Sequence, residues 1–229
     1  MNKYITLIIA LLLLSISAKA QFSVNYTIGY GQHLMGDMKD IAESSLTNTG
    51  GELGAKLKLT SNFPLSIVHT GEICYQINKH EFGITGAYMS SGAKFAYSDY
   101  SGKYNSRLVT NAFKLGGVYK YYFYETNLAK KPLSVFASIS TSVVKTDVVA
   151  YEEIELYQAE IHETEKEKII GNRFGFSALP MVGGRLLLFK HLFVLMSAGL
   201  DIEMGCTITP VHRVDWSGMR LNAGIGFKF

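Results

Sequence analysis

The chain has 229 residues, with 22 basic and 19 acidic side chains and a formal charge of +3 at neutral pH. This near-neutral balance excludes the strongly basic surface of a nucleic-acid-binding protein. The 22 glycines, 14 tyrosines and 13 phenylalanines, set against 4 prolines, favour a structure built from many strands.

Residues 1–20 have the pattern of a secretory signal peptide. A lysine near the start is followed by an almost unbroken apolar run over residues 5–16, and Ala18-Lys19-Ala20 is an A-x-A cleavage site. The run is too short for a transmembrane anchor, and no cysteine stands at the cleavage site of a lipoprotein. We expect residues 21–229 to form one mature domain of 229 − 20 = 209 residues, with a formal charge of 3 − 2 = +1.

Segments with period-two alternation of apolar and polar residues predict eight strands in the mature chain. They are residues 22–31, 65–77, 80–95, 107–124, 133–148, 174–188, 192–208 and 219–229. No apolar run after residue 20 is long enough for a membrane-spanning helix, so any membrane crossing must use a closed sheet. Short connections alternate with longer ones, which is the connectivity of an up-and-down membrane barrel.

One face of the predicted strands carries charges of both signs. In this register the polar face holds Glu72, Glu81, Lys114, Lys120, Arg185, Asp201, Glu203, Arg220 and Lys228. Side chains can fill the interior of an eight-stranded barrel, whereas a conducting pore needs more strands. Because a buried unpaired charge is costly, we expect these nine side chains to form a network that plugs the lumen.

The last eleven residues, M-R-L-N-A-G-I-G-F-K-F, end on the aromatic Phe229. With the signal peptide and the eight alternating segments, this ending resembles the small eight-stranded outer-membrane β-barrels of the OmpA/OmpX type. The segment 98–104, S-D-Y-S-G-K-Y, is also similar to one found in uncharacterised barrels of this size. The chain has no peptidoglycan-binding domain after the barrel, so the resemblance does not imply a role in tethering the cell wall.

The resemblance implies an all-β, eight-stranded antiparallel up-and-down transmembrane β-barrel in the cell outer membrane. An even number of strands implies that both termini are periplasmic and that the long loops face outward. The resemblance also implies that Phe227 and Phe229 form part of the signal read by the barrel assembly machinery.

A soluble lipocalin-like barrel has the same alternation, with its apolar face turned inward around a ligand. Three features disfavour it. They are the terminal Phe229, the aromatic cluster at residues 119–124, and the charges and glycines of the opposite face.

The two longest predicted loops, residues 32–62 and 150–173, offer interaction surfaces. In the first, Met38, Ile41 and Leu46 would share one face of a short helix, which would act as a lid, a plug or a docking helix. We favour a solvated surface loop there. The second contains seven glutamates that would repel lipopolysaccharide, bind divalent cations or contact a basic partner, and we favour a solvated extension of the strands.

Catalysis is considered because some eight-stranded barrels modify lipid A. His33 and His69 lie near the outer ends of neighbouring predicted strands with Ser66 close by, and His69 has lipid-facing parity. The chain contains neither a His-x-Ser pair on one strand nor a G-x-S-x-G elbow, so we assign no catalytic residue. His212 and Asp215, beside Trp216, are interpreted as a rim that contacts lipid headgroups.

Spacing gives no support for a metal site or a cofactor, since the chain has no His-x-x-x-His and no Cys-x-x-Cys. Cys74 and Cys206 fall near opposite ends of distant predicted strands, and we expect both thiols to be unpaired.

The first functional hypothesis is a non-enzymatic barrel whose external loops bind a partner protein, a surface ligand or a larger outer-membrane complex. The expected partners also include outer-membrane lipid and lipopolysaccharide, and they exclude nucleic acid. The alternative is an outer-leaflet lipid-modifying enzyme of the lipid A acyltransferase or deacylase kind. A narrow small-solute channel is a third hypothesis, disfavoured by the strand count.

Overall fold

The computed structural model describes residues 21–53, 58–98, 100, 102–129, 131–157, 161–207 and 213–229. The predicted signal peptide lies outside these residues. The elements in chain order are β1 (Gln21–His33), α1 (Gly36–Leu53), β2 (Lys58–Asn62), β3 (Ser66–Ile77), β4 (His80–Ser98), β5 (Gly102–Leu128), β6 (Lys131–Leu156), β7 (Ile161–Leu187), β8 (Leu192–Gly205) and β9 (Gly218–Lys228).

Eight of these strands form a closed antiparallel ring in the order β1-β3-β4-β5-β6-β7-β8-β9, and β9 pairs with β1. Tyr26 on β1, for example, lies opposite both Gly71 of β3 and Ile225 of β9. The short β2 pairs with β4 beyond the start of β3. Pro64, which has no backbone N–H, lies between β2 and β3. The predicted eight-stranded up-and-down barrel is confirmed.

The strands alternate between a polar interior and an apolar exterior. On β1, Ser23, Asn25 and Thr27 are buried, while Val24 and Tyr26 between them are exposed. Outward apolar side chains continue around the ring, which is the pattern of a transmembrane β-barrel. Among the described residues, no helix is long and apolar enough to cross a bilayer.

The two ends of the barrel differ. The turn end carries the β3–β4, β5–β6 and β7–β8 connections together with Gln21 and Phe229. The loop end carries α1 and the far parts of β5, β6 and β7, which have 27, 26 and 27 residues against 13 in β1. These three long strands therefore extend beyond the ring at the loop end.

The predicted loop at residues 150–173 is largely strand, because β6 continues to Leu156 and β7 begins at Ile161. Backbone pairing joins Glu152 to Glu165 within this extension. The acidic segment thus takes the strand form that we favoured. The predicted strands at residues 80–95 and 107–124 are too short on this side, since β4 ends at Ser98 and β5 begins at Gly102.

The interpretation of residues 35–46 as a solvated surface loop is wrong. These residues belong mostly to α1, and Met35, Met38 and Ala42 are buried in an apolar cluster with Trp216 and Phe95. The interpretation of Asp215, beside Trp216, as part of a rim that contacts lipid headgroups is also wrong, because Asp215 is 8 % exposed and the Trp216 side chain is fully buried. Many inward-facing positions at the loop end are apolar, among them Val68, Met89 and Val144, so the helix and the indole gain more by burial there than by contact with solvent.

Candidate functional site

The lumen near the turn end contains four ionised side chains from four strands, here called the turn-end cluster: Glu72, Glu81, Lys120 and Arg185. Lys120 Nζ lies 2.5 Å from Glu72 Oε2 and 3.2 Å from Glu81 Oε1. Arg185 extends from β7 across the lumen and places a guanidinium nitrogen 2.9 Å from Glu81 Oε2. The Tyr122 hydroxyl donates to the same oxygen at 2.8 Å. The cluster therefore joins β3, β4 and β5 to β7 through charge-assisted bonds.

A second group, the loop-end cluster, consists of Lys114, Asp201, Glu203 and Arg220. Lys114 Nζ lies 2.9 Å from both Asp201 carboxylate oxygens, so β5 is joined across the lumen to β8. Asp201 also accepts from Ser177 at 2.7 Å and from Arg220 at 3.4 Å. Glu203 Oε2 lies 3.6 Å from Lys114 Nζ, a longer contact than the 2.9 Å that joins Lys114 to Asp201.

Each cluster contains two acids and two bases, so each is formally neutral. The ninth predicted lumen charge, Lys228, belongs to neither. Its Nζ lies 3.3 Å from Gln76 Oε1, and no carboxylate of the described chain lies within ion-pair distance of it. The nine charges therefore sum to 5 − 4 = +1, and the excess charge lies at the turn end.

Little open space separates the two clusters. The cavity between them has a volume of about 30 Å³ and is lined by Glu72, Lys114 and Arg220 together with hydroxyl groups such as those of Thr70 and Ser138. This space is of the order of a single water molecule.

The loop end of the barrel is covered by α1 and the segment before β9, here called the cap. The Trp216 indole N–H donates to Thr146 Oγ1 at 3.1 Å. Backbone hydrogen bonds fix the start of the helix, with Met35 N donating to the Asp215 carbonyl at 3.1 Å. The Arg213 amide donates to Asp37 Oδ2 at 2.9 Å, which connects the helix to the β8–β9 segment.

The structure brings together two of the three residues considered for catalysis. His33 Nε2 lies 2.8 Å from Ser66 Oγ, and His33 Nδ1 lies 2.7 Å from the Trp216 carbonyl. A carbonyl only accepts, so this arrangement favours a proton on Nδ1 and an Nε2 that accepts from the serine. Both side chains are buried inside the barrel, at 6 % and 3 % exposure.

His69 lies on the opposite face of β3 from Ser66. It is exposed on the outside of the barrel, where its Nδ1 lies 2.7 Å from the Tyr26 hydroxyl. The predicted trio therefore does not assemble, because His69 is separated from the other two residues by the barrel wall. His212 lies outside the described residues.

Two acidic side chains of the β6 extension accept hydrogen bonds from side chains of the neighbouring strand β5. Asn105 donates to Glu153 at 3.1 Å, and the Tyr104 hydroxyl donates to Glu152 at 3.4 Å. Both glutamates are nevertheless exposed. In the part of the chain that the structure describes, no group of three or more histidine, cysteine, aspartate or glutamate side chains is placed to hold a metal ion.

Several lumen residues escaped the sequence analysis because they are uncharged. Gln76, Tyr122, Ser177 and Thr70 all bond to members of the two clusters. Gln76 and Thr70 share the parity of Glu72 on one strand, so the same alternation that identified the charges could have identified them.

No family model matches the chain, and no curated protein matches it. Among solved structures, the chain is similar to Ail, the attachment invasion locus protein of Yersinia pestis. The sequences are 9 % identical, the match covers 92 % of this chain and 97 % of that chain, and the TM-score is 0.37. Ail has also been solved in complex with the heparin analogue sucrose octasulfate, and that structure gives 10 % identity, the same coverage and a TM-score of 0.35. Neisserial surface protein A gives 8 % identity, 93 % and 98 % coverage, and a TM-score of 0.38. The strand pairing described above, and not these likenesses, defines the topology of the barrel.

Proposed function

We propose that the protein is a non-enzymatic, integral outer-membrane β-barrel with a closed polar lumen. The parts of the chain at its loop end would present a surface to a partner protein, a surface ligand or a larger outer-membrane complex. The observation that carries this proposal is a closed ring of strands with an apolar exterior and an interior crossed by charge pairs.

The apolar exterior supports a place in the membrane. Ile84, Leu115 and Ile225 are each about half exposed or more, although they lie in the middle of their strands. A soluble monomer rarely exposes a continuous apolar surface of this extent. A lipid bilayer removes this cost, and the closed ring leaves no unpaired backbone edge in the hydrocarbon.

The two clusters support a closed lumen. Arg185 and Lys114 each cross the interior to reach an acid on a distant strand, and the space between the clusters is the size of one water molecule. Hydrated ions need a wider continuous path, so the barrel is a scaffold and not a pore.

The loop end supports an interaction role. The extension of β5, β6 and β7 carries the exposed acids Glu152 and Glu153, which suit a basic surface on a partner. We place this end outside the cell and both termini in the periplasm. Lipopolysaccharide would surround the outer half of the barrel. During biogenesis the barrel assembly machinery would read Phe227 and Phe229, whose rings pack 5.0 Å apart at the end of β9.

The second candidate, a lipid-modifying enzyme, draws on the bond between Ser66 and His33. Both groups face the packed interior, whereas a lipid substrate lies outside the wall, so the pair better suits a structural role in fixing the cap. Substituting Ser66 with alanine should leave the lipid A and phospholipid profiles unchanged. A changed profile that the wild-type gene restores would support the enzyme.

The test of the interaction role is purification of the tagged protein in mild detergent, followed by mass spectrometry of the proteins that remain bound. The variant Glu152→Gln with Glu153→Gln neutralises these two exposed acids, and Glu125→Gln neutralises one exposed acid at the opposite end as a control. We expect a stoichiometric partner with the wild type and the control, and its loss with the double variant. A protein recovered alone, or a partner indifferent to the double variant, would contradict the proposed surface.

A further inference from the structure

The turn end of the barrel contains a cavity of about 360 Å³ that neither cluster fills. It lies among the turn-side ends of β5, β6, β7 and β8, with Asn127, Leu133, Leu187 and Phe193 in its wall. The volume lies within the range of small-molecule sites.

Two cations meet in this cavity. A guanidinium nitrogen of Arg185 and Nζ of Lys228 both bond to Gln76 Oε1, at 3.0 and 3.3 Å. Arg185 forms an ion pair with Glu81, whereas Lys228 bonds to the neutral Gln76 oxygen, which it shares with Arg185. A half-buried ammonium held by an amide oxygen is poorly compensated, and a carboxylate would compensate it better.

The walls define the rest of the ligand. Leu133, Leu187 and Phe193 form an apolar side, and the Arg185 guanidinium lies 5.2 Å from the Phe193 ring centroid. The nine predicted lumen charges leave a single positive charge, which one carboxylate neutralises. Glu125 also lines the cavity but lies beyond ion-pair distance of Lys228, so it competes only weakly for this role.

We propose that the turn-end cavity binds a small organic monocarboxylate, with its carboxylate on Lys228 beside Arg185 and its apolar body against Leu133, Leu187 and Phe193. The ligand would enter from the side of the chain termini. This site is separate from the interaction surface at the loop end, and either can exist without the other.

The probe is benzoate, with benzamide as a neutral ligand of the same shape, titrated calorimetrically at constant ionic strength into the mature chain in detergent. We expect benzoate to bind at least roughly tenfold more tightly than benzamide, because only benzoate compensates Lys228. Lys228→Met should lose this preference. Lys79→Met, which removes an exposed lysine at the same end, should keep it. Glu125→Gln should tighten benzoate binding, since it removes a competing negative charge from the wall.

Equal affinity for benzoate and benzamide would overturn the proposal, and this comparison needs no variant to fold. Unchanged benzoate binding by a folded Lys228→Met would overturn it as well. Trp216 supplies a check on location, because it lies at the opposite end of the barrel and its fluorescence should not respond. A benzoate-dependent shift of that fluorescence would place the binding elsewhere and contradict the site.

Discussion

Replacing Lys120 with methionine should destabilise the barrel more than replacement of any exposed lysine. The Lys120 side chain is 5 % exposed, and its ammonium is the shared partner of Glu72 and Glu81, whose side chains are 15 % and 1 % exposed. Methionine keeps most of the side-chain length but leaves Glu72 without its cation and leaves Arg185 as the one cation paired with Glu81. Removing one partner of a buried ion pair costs about 3–5 kcal/mol, and we expect a loss in this range.

The assay is reversible urea unfolding of the protein folded into lipid vesicles, with the free energy obtained by linear extrapolation. Lys79→Met serves as the control, because Lys79 is exposed in the turn between β3 and β4. Adding Glu72→Gln alone to Lys120→Met should recover part of the loss, since the stranded Glu72 carboxylate is then neutral, while Glu81 keeps its ion pair with Arg185. If Lys120→Met unfolded within about 1 kcal/mol of the control, the pair would behave like a surface salt bridge, and the account of a buried cluster would fail.

In the loop-end cluster, Asp201→Asn should lower the unfolding free energy by about 2–4 kcal/mol, because two buried cations lose the negative charge that they share. Glu203→Gln should change it far less, since Glu203 lies 3.6 Å from its only cation, Lys114, among the described residues; equal effects in urea titrations would contradict this assignment. Met38→Ala should open a cavity under the cap and destabilise its packing by about 2–5 kcal/mol. The expected readout is faster protease cleavage within α1, and an unchanged cleavage rate would show that the helix is not packed. Burial raises the pKa of the Cys206 thiol to about 12. Cys206 and Cys74 are both buried, so both should resist maleimide near neutral pH until the protein is unfolded. Rapid labelling of the folded protein would refute their burial.

The ring of strands could be predicted from the sequence because the alternation is strict where one face meets lipid and the other meets a polar interior. On β1, each residue from Ser23 to Tyr30 has the exposure that its parity predicts. The same parity placed Glu81 and Arg185 on the inner face. Which acid meets which base could not be predicted, because a contact across the lumen depends on how the strands are staggered around the ring.

The loop end could not be predicted because its interior follows a different rule. There many of the inward positions are apolar, so Met35 and Trp216, which look like surface residues of a loop, are buried against the barrel wall. Two or three apolar residues at helical spacing are too weak a signal to predict a helix of 18 residues. The strand extension that we favoured for the acidic segment is present, but its bounds were missed, since β6 continues to Leu156 and β7 begins at Ile161, whereas the alternation ended at residue 148 and resumed at residue 174.

We propose that charged side chains close the lumen of this barrel. The most direct test is the conductance of planar bilayers containing the purified, folded protein, with folding verified by the heat-dependent shift of its electrophoretic mobility. The account predicts no stable conductance above that of the lipid, since Lys114 and Arg185 bridge the lumen at two levels. Long-lived, voltage-independent current steps that scale with salt concentration would show an open aqueous path and contradict it.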